Sequence, residues 1–276
     1  MDDVQADDPV TGRQTLTQSA YRNDSRIRSR QAIFAYAETP AGQQPRTSLV
    51  PWDGTQVVAD VGCGNGLDLR QLVSDGRCRH AIGLDLSPGM LRTLEPLRGS
   101  GRLTLIQADA QQLPLRCDSV DVGLAMHMLY HVPDIRAAIG ELRRIVKPGG
   151  TALASTNSAG TLAEVHSLLD ATVSGLLGRP VRALPDLSFT TENGTALLEE
   201  AFSDVSLHAK DTVLSFPAAQ PVADYISSVR EPIERTVGEP FSFDAALARI
   251  TARVEQIIRD RGRFRTTFRS GVFRCR

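Results

Sequence analysis

Apolar positions along the chain fall into short β-branched runs that alternate with stretches where apolar residues recur every three or four positions. The strand-like runs are Gln56 to Val61, His80 to Leu86, Leu103 to Gln107, Val120 to Met126 and Gly150 to Thr156. Helical spacing fills the intervals Asp68 to Val73, Met90 to Leu97 and Ile135 to Val146. This alternation predicts an α/β fold with a parallel sheet wound on both faces. The clearest helix starts at Asp134: Ile135, Ile139, Leu142, Ile145 and Val146 share one face, and Lys147-Pro148-Gly149-Gly150 stops it and turns the chain into a strand.

Outside that block the pattern is more helical. Apolar residues recur loosely from Leu16 to Tyr36, which predicts one or two helices before the first strand. Helices are expected from Thr161 to Leu177 and from Thr191 to Phe202, the second opened by Thr190 or Thr191 as N-cap, before a strand Val205 to Phe216. Phe243, Leu247, Ile250, Val254, Ile257 and Ile258 then form a stripe closed by Gly262, and an alternating strand Phe264 to Cys275 follows. The expected organisation is a solvated tail over 1–12, an N-terminal helical segment over 13–52, a core over 53–216, a helical insertion over 217–262 and a final core strand over 263–276.

With 276 residues, 41% of them hydrophobic, the chain can bury one substantial core. Apolar runs such as Val120 to Met126 fall far short of the roughly 20 residues that cross a bilayer, so neither a membrane span nor a secretory segment is expected and the assigned location is the cytoplasm. Cys63, Cys78, Cys117 and Cys275 show no metal-ligand spacing and no His cluster joins them, which predicts buried thiols and no metal site. A net charge of −1 gives no general attraction to polyanions, so nucleic acid is not the favoured partner. The oligomeric state is left open.

Chemistry concentrates at the strand ends. Val57-Val58-Ala59-Asp60-Val61 runs into Gly62-Cys63-Gly64-Asn65-Gly66, so the glycines stand where a backbone must approach a ligand closely. Leu67 occupies the third-glycine position of a dinucleotide fingerprint, and Asp60 precedes the loop by two residues, which departs from the nicotinamide pattern. Asp85 ends the second strand about 20 residues on, where a carboxylate takes both ribose hydroxyls. Asp109, within Ala108-Asp109-Ala110 after the third strand, can accept from an exocyclic amine. Together these positions define one crevice at the carboxyl ends of adjacent strands.

The motifs ADVGCGNG, GLDLSPGML, QADAQQLPL, DVGLAMHMLYHVPD and LRRIVKPGG resemble those of class I S-adenosylmethionine (SAM)-dependent methyltransferases that act on small molecules, of the UbiE and methyltransferase-11 type. The resemblance is best over 57–156. It implies a Rossmann-like sheet of seven strands with the last antiparallel, and a lid made from the N-terminal helices and the insertion before that last strand. It also implies that Asp60 and the loop of Gly62, Cys63, Gly64 and Gly66 hold the methionine end of SAM, that Asp85 holds the ribose and Asp109 the adenine, with Leu86 and Ala110 flanking the adenine and Met126 lining the cofactor. Tyr21 could close over it. The reaction implied is in-line displacement by an O, N or C nucleophile of a small-molecule acceptor in specialised biosynthesis, with S-adenosylhomocysteine as product.

For acceptors that need a base, His127 and His131 stand beyond the fourth strand, since imidazole titrates near neutral pH; the alternative is that they orient the loop. Two other readings are RNA base methylation, for which Arg13, Arg22, Arg26, Arg28 and Arg30 form the candidate basic cluster, and a non-catalytic SAM-binding protein of regulatory or assembly type.

Overall fold

The computed structural model describes residues 11–12, 16–17, 22–38 and 46–276. Seven strands form one sheet: β1 (Val57–Val61), β2 (His80–Asp85), β3 (Leu103–Gln107), β4 (Val120–Met126), β5 (Val146–Asn157), β6 (Val205–Phe216) and β7 (Phe264–Cys275). Their order is β3-β2-β1-β4-β5-β7-β6. The pairs β1–β2, β1–β4, β2–β3 and β4–β5 are parallel, whereas β7 runs antiparallel to both its neighbours. The Rossmann-like sheet with an antiparallel last strand is therefore observed, and the order reverses beside β1, where the chain crosses from β3 to β4.

Alternation along the inner strands divides the core. Ala59, Val61, Ala125, Ala152 and Ala154 pack on one face with α4 (Ile135–Ile145) and α6 (Gly194–Glu199). Val58, Val122, Leu124 and Leu153 face α2 (Leu67–Ser74) and α3 (Pro88–Leu94). The α4 stripe buries Ile139, Leu142 and Ile145 almost completely, each contributing about 1.5–3 kcal/mol of apolar burial. Asp134 caps this helix, its Oδ1 accepting from the Ala137 N–H at 3.0 Å.

A third apolar cluster lies over the sheet. It joins α5 (Ala163–Leu177), α7 (Gln220–Ser228), α8 (Arg230–Val237) and α9 (Phe243–Arg261) with Ile33 and Ala37, which follow α1 (Ser25–Ala32). The α9 stripe buries Phe243, Ala246, Ile250 and Val254, and Ser242 caps it. The buried Val165, Leu169 and Val173 of α5 join this cluster, which also takes in Leu214 and Phe216 of β6 and Phe264 of β7.

Three local expectations are corrected. The helix expected from Thr191 to Phe202 is shorter, because Thr190 to Asn193 first form a turn in which Asn193 Oδ1 accepts the Thr190 N–H at 2.8 Å. The loose periodicity before Tyr36 resolves, within the described residues, into α1 and a 3-10 turn at Ile33–Tyr36. Cys63, Cys78 and Cys275 are buried thiols, but Cys117 is exposed, with the Arg144 guanidinium 3.6 Å from its sulfur. Residues 1–10 of the tail expected over 1–12 lie outside the described residues.

Candidate active site

A cleft of about 2010 Å3 opens along the carboxyl ends of the parallel strands, between the sheet and the helical layer. Asp60, Gly62, Cys63, Gly64, Asp85, Leu86, Asp109, Ala110, Met126, His127 and His131 all line it. Tyr21 lies outside the described residues.

The loop after β1 is bent by three glycines in the left-handed region, with φ of 66°, 54° and 70° at Gly62, Gly64 and Gly66. They do different work. Gly64 borders the cleft, and its amide donates to Asp85 Oδ2 at 2.8 Å. Gly66 does not line the cleft: its amide donates to the Cys63 carbonyl, it stands at the N-cap of α2, and a methyl there would collide with Leu94 of α3. This glycine permits close packing of two helices.

Asp60 is 2% exposed at the end of β1 and its Oδ1 has no hydrogen-bond partner. Burial, reinforced by the Asp68 carboxylate, pushes its pKa well above the usual carboxylate range, while Arg46 pulls the other way. Arg46 enters from the segment before β1, donates to Asp68 at 2.6 Å and lines the cleft. A buried carboxylate oxygen without a partner costs stability unless something with a donor or a positive charge meets it. The Cys63 thiol is buried beside Asp60 and its pKa is raised by that burial, so it is no reactive thiolate.

Asp85 is held from both sides, Oδ2 by Gly64 and Oδ1 by the Ser87 amide at 2.8 Å. Burial raises its pKa and these two amides oppose the rise. Ser87 in turn caps α3, with Pro88 in its first turn. One carboxylate thus couples the glycine loop to the turn after β2. Asp109 Oδ1 accepts the backbone and side-chain amides of Gln111, and Asp109 bridges to Gln112, shaping the turn after β3.

Beyond β4, His127 takes a left-handed backbone with φ 56° and its amide donates to the Ser155 carbonyl at 3.0 Å. Burial, helped by Arg46 and His131, lowers its pKa to about 3. It is therefore a neutral imidazole at physiological pH. His131 ends a 3-10 turn, Leu129–His131, and its ring packs against Tyr130 at 4.6 Å.

Further from the glycine loop the cleft is lined by Arg30, from the basic cluster, and by Asn157, His166, Tyr225 and Arg235, which the sequence reading did not mark. Asn157 Oδ1 and His166 Nε2 are buried without hydrogen-bond partners. These residues come from β5, α5, α7, α1 and α8, so no single motif could report them. Within the basic cluster near the N-terminus, Arg26 pairs with Glu231 of α8 at 2.7 Å, the exposed Arg28 pairs with Asp24, and Arg30 lines the cleft. Arg13 is outside the described residues. Among the described residues no group of three His, Cys, Asp or Glu is placed to hold a metal ion, and no helix is long and apolar enough to cross a membrane.

Residues 59–154 match the Methyltransf_11 family, a methyltransferase domain. The malonyl-[acyl-carrier protein] O-methyltransferase of Methylovorus sp. is 32% identical over 119 residues, covering 41% of this chain and 40% of that protein. The ubiquinone/menaquinone biosynthesis C-methyltransferase UbiE of Syntrophotalea carbinolica is 31% identical over 102 residues, covering 36% of this chain and 43% of that protein. The chain thus covers less than half the length of these curated relatives. Among solved structures, phosphoethanolamine N-methyltransferase 2 of Haemonchus contortus in complex with S-adenosyl-L-methionine superposes with a TM-score of 0.56 at 21% identity, covering 95% of this chain and 59% of that one. That likeness establishes the fold.

Proposed function

We propose, from the premise that residues 59–154 are a methyltransferase domain of the class I fold, that this protein methylates a small-molecule acceptor at O, N or C. When bound, SAM would supply a methyl group already activated on a sulfonium. The observation that carries the reading is the set of carboxylates, Asp60, Asp85 and Asp109, on one cleft at the ends of three adjacent strands.

The residues fit that cofactor. Asp60, with its partnerless buried oxygen, would take the ammonium of the methionine end above the loop of Gly62, Cys63 and Gly64. Asp85 would take the ribose, Asp109 the adenine amine, with Leu86 and Ala110 beside the ring and Met126 beneath. Each acid sits at a strand end with a short loop behind it, so positioning costs little reorganisation. The helical layer and α1 would close the far side and exclude water, which raises the reactivity of a nucleophile held in line. His127, neutral at physiological pH with a pKa near 3, is matched to hydrogen bonding rather than to removing a proton. His131 is the better candidate to orient or deprotonate the acceptor.

Calorimetric titration of SAM into the wild type and into Asp85→Ala tests this. At least tenfold weaker binding by the variant is expected; equal affinity would overturn the cofactor placement. Because the curated relatives named above act on different acceptors by their names, the acceptor follows from the far half of the cleft.

A further inference from the structure

Charge along the cleft is segregated. Near the glycine loop stand Asp60, Asp68, Asp85 and Asp109, with Arg46 bonded to Asp68. Toward the helical layer the lining cations are Arg30, Arg182, Lys210 and Arg235, against Asp170 and Asp186. Those two acids are engaged: Asp186 pairs with Arg182 at 2.8 Å, and Asp170 Oδ1 accepts the Ala183 amide at 2.8 Å. Arg235 and Arg26 both pair with Glu231, at 2.9 and 2.7 Å.

Two parts of the chain bring polar residues to this end: α1 brings Arg30, and the consecutive α7 and α8 bring Tyr225 and Arg235. Beside them Phe34 and Phe268, packed edge to face at 4.8 Å, and Val229 supply an apolar wall. Asp60, Cys63 and Tyr225 register the same division, whereas at His166 the Asp170 carboxylate outweighs Arg182. Asp60 and Cys63, at one end, are raised by burial and then by nearby carboxylates. At the other, burial pushes Tyr225 up to about 12 while Arg30 opposes it. His166 is lowered by burial, with Asp170 raising it and Arg182 lowering it further.

Resting on the methyl-transfer reading above, we infer that the acceptor carries an anionic oxygen group, a carboxylate or a phosphate, held at the helical end of the cleft by Arg30 and Arg235 with its apolar body against Phe34 and Phe268. A guanidinium fork suits such a group because it offers parallel N–H donors to two oxygens. The opposite acidic end repels the anion and suits a cationic cofactor, so the two ligands are sorted by charge before they meet.

The test is calorimetric titration of phenyl phosphate, benzoate and phenol into the protein saturated with S-adenosylhomocysteine, and into the protein alone. At least one anion should bind, and phenol at least tenfold more weakly; the preference between phosphate and carboxylate identifies the group. Arg30→Gln and Arg235→Gln should each weaken anion binding about fivefold or more while S-adenosylhomocysteine affinity stays within about twofold, and Arg30→Lys should recover part of the loss. Arg28→Gln, on the same helix and bonded to Asp24, should change nothing, and circular dichroism confirms that each variant is folded. Phenol binding as tightly as the anions, no anion binding to the wild type, or undiminished binding by the double glutamine variant would overturn the inference. Failure of S-adenosylhomocysteine to bind the wild type would instead sink the methyl-transfer reading.

Discussion

The two ends of the cleft are built on different plans. At the strand ends, side chains are fixed by backbone: Asp85 grips the amides of Gly64 and Ser87, and Asp60 is walled in at 2% exposure. At the helical end they are fixed by other side chains, as in the Arg26–Glu231–Arg235 group. Backbone-held groups lose little entropy on binding, whereas long side chains on helices do, and they can be exchanged without disturbing the fold. A constant cofactor suits the first plan and a variable acceptor suits the second.

If that contrast is right, the largest effect comes from Asp60→Asn. It should weaken SAM binding roughly 100-fold by removing a buried charge from its partner, as measured by calorimetry. In the wild type, SAM affinity should rise as pH climbs above the usual carboxylate range, because the raised pKa of Asp60 must be crossed before it is charged; in the variant that dependence should vanish. His131→Ala should lower kcat about tenfold or more and leave SAM affinity nearly unchanged, and an equal loss in both would assign His131 to the cofactor end.

His127 sharpens the comparison through stability. Folded, it stays neutral down to about pH 3, whereas the unfolded chain takes up the proton near the ordinary 6.5. Its contribution is therefore complete above about pH 6.5 and is lost as the pH falls toward 3. Urea unfolding should show about 1–2 kcal/mol less stability at pH 5 than at pH 7.5 from this group. His127→Asn, which tolerates the left-handed backbone, should reduce that slope; an unchanged slope would show the ring to be solvated. Asp60 acts with the opposite sign, so the difference between variant and wild type isolates His127. The smallest effect is expected from Arg26→Gln: under about 1 kcal/mol of stability, as for exposed ion pairs, with SAM affinity unaltered.

The same contrast explains what could be read from sequence. Parallel strands followed by short loops put chemistry at fixed intervals, so Asp60, Asp85, Asp109 and the glycine loop were visible as positions on one crevice. Gly66 was read as part of the ligand floor because a glycine signals that a Cβ is not tolerated without saying what fills the space; here Leu94 does. Arg46, Asn157, His166 and Tyr225 carried no signal, since each reaches the cleft through long-range packing.

Three modest contacts tie the N-terminal arm to the sheet. After α1, Ala37 bridges Leu214, the Glu38 amide donates to the Val213 carbonyl at 2.9 Å, and the Glu38 carboxylate meets Arg265 at 2.6 Å. The arm is thus stitched at its root to the outermost strand of the sheet. Further along, Arg26 pairs with Glu231 of α8 at 2.7 Å and Asn65 Nδ2 donates to Gln31 Oε1 at 3.3 Å, so the arm is fastened along α1 as well as at this seam. The aromatic wall of Phe34 against Phe268 stands beside this seam, so backbone bonds to the sheet hold the position from which the rings meet.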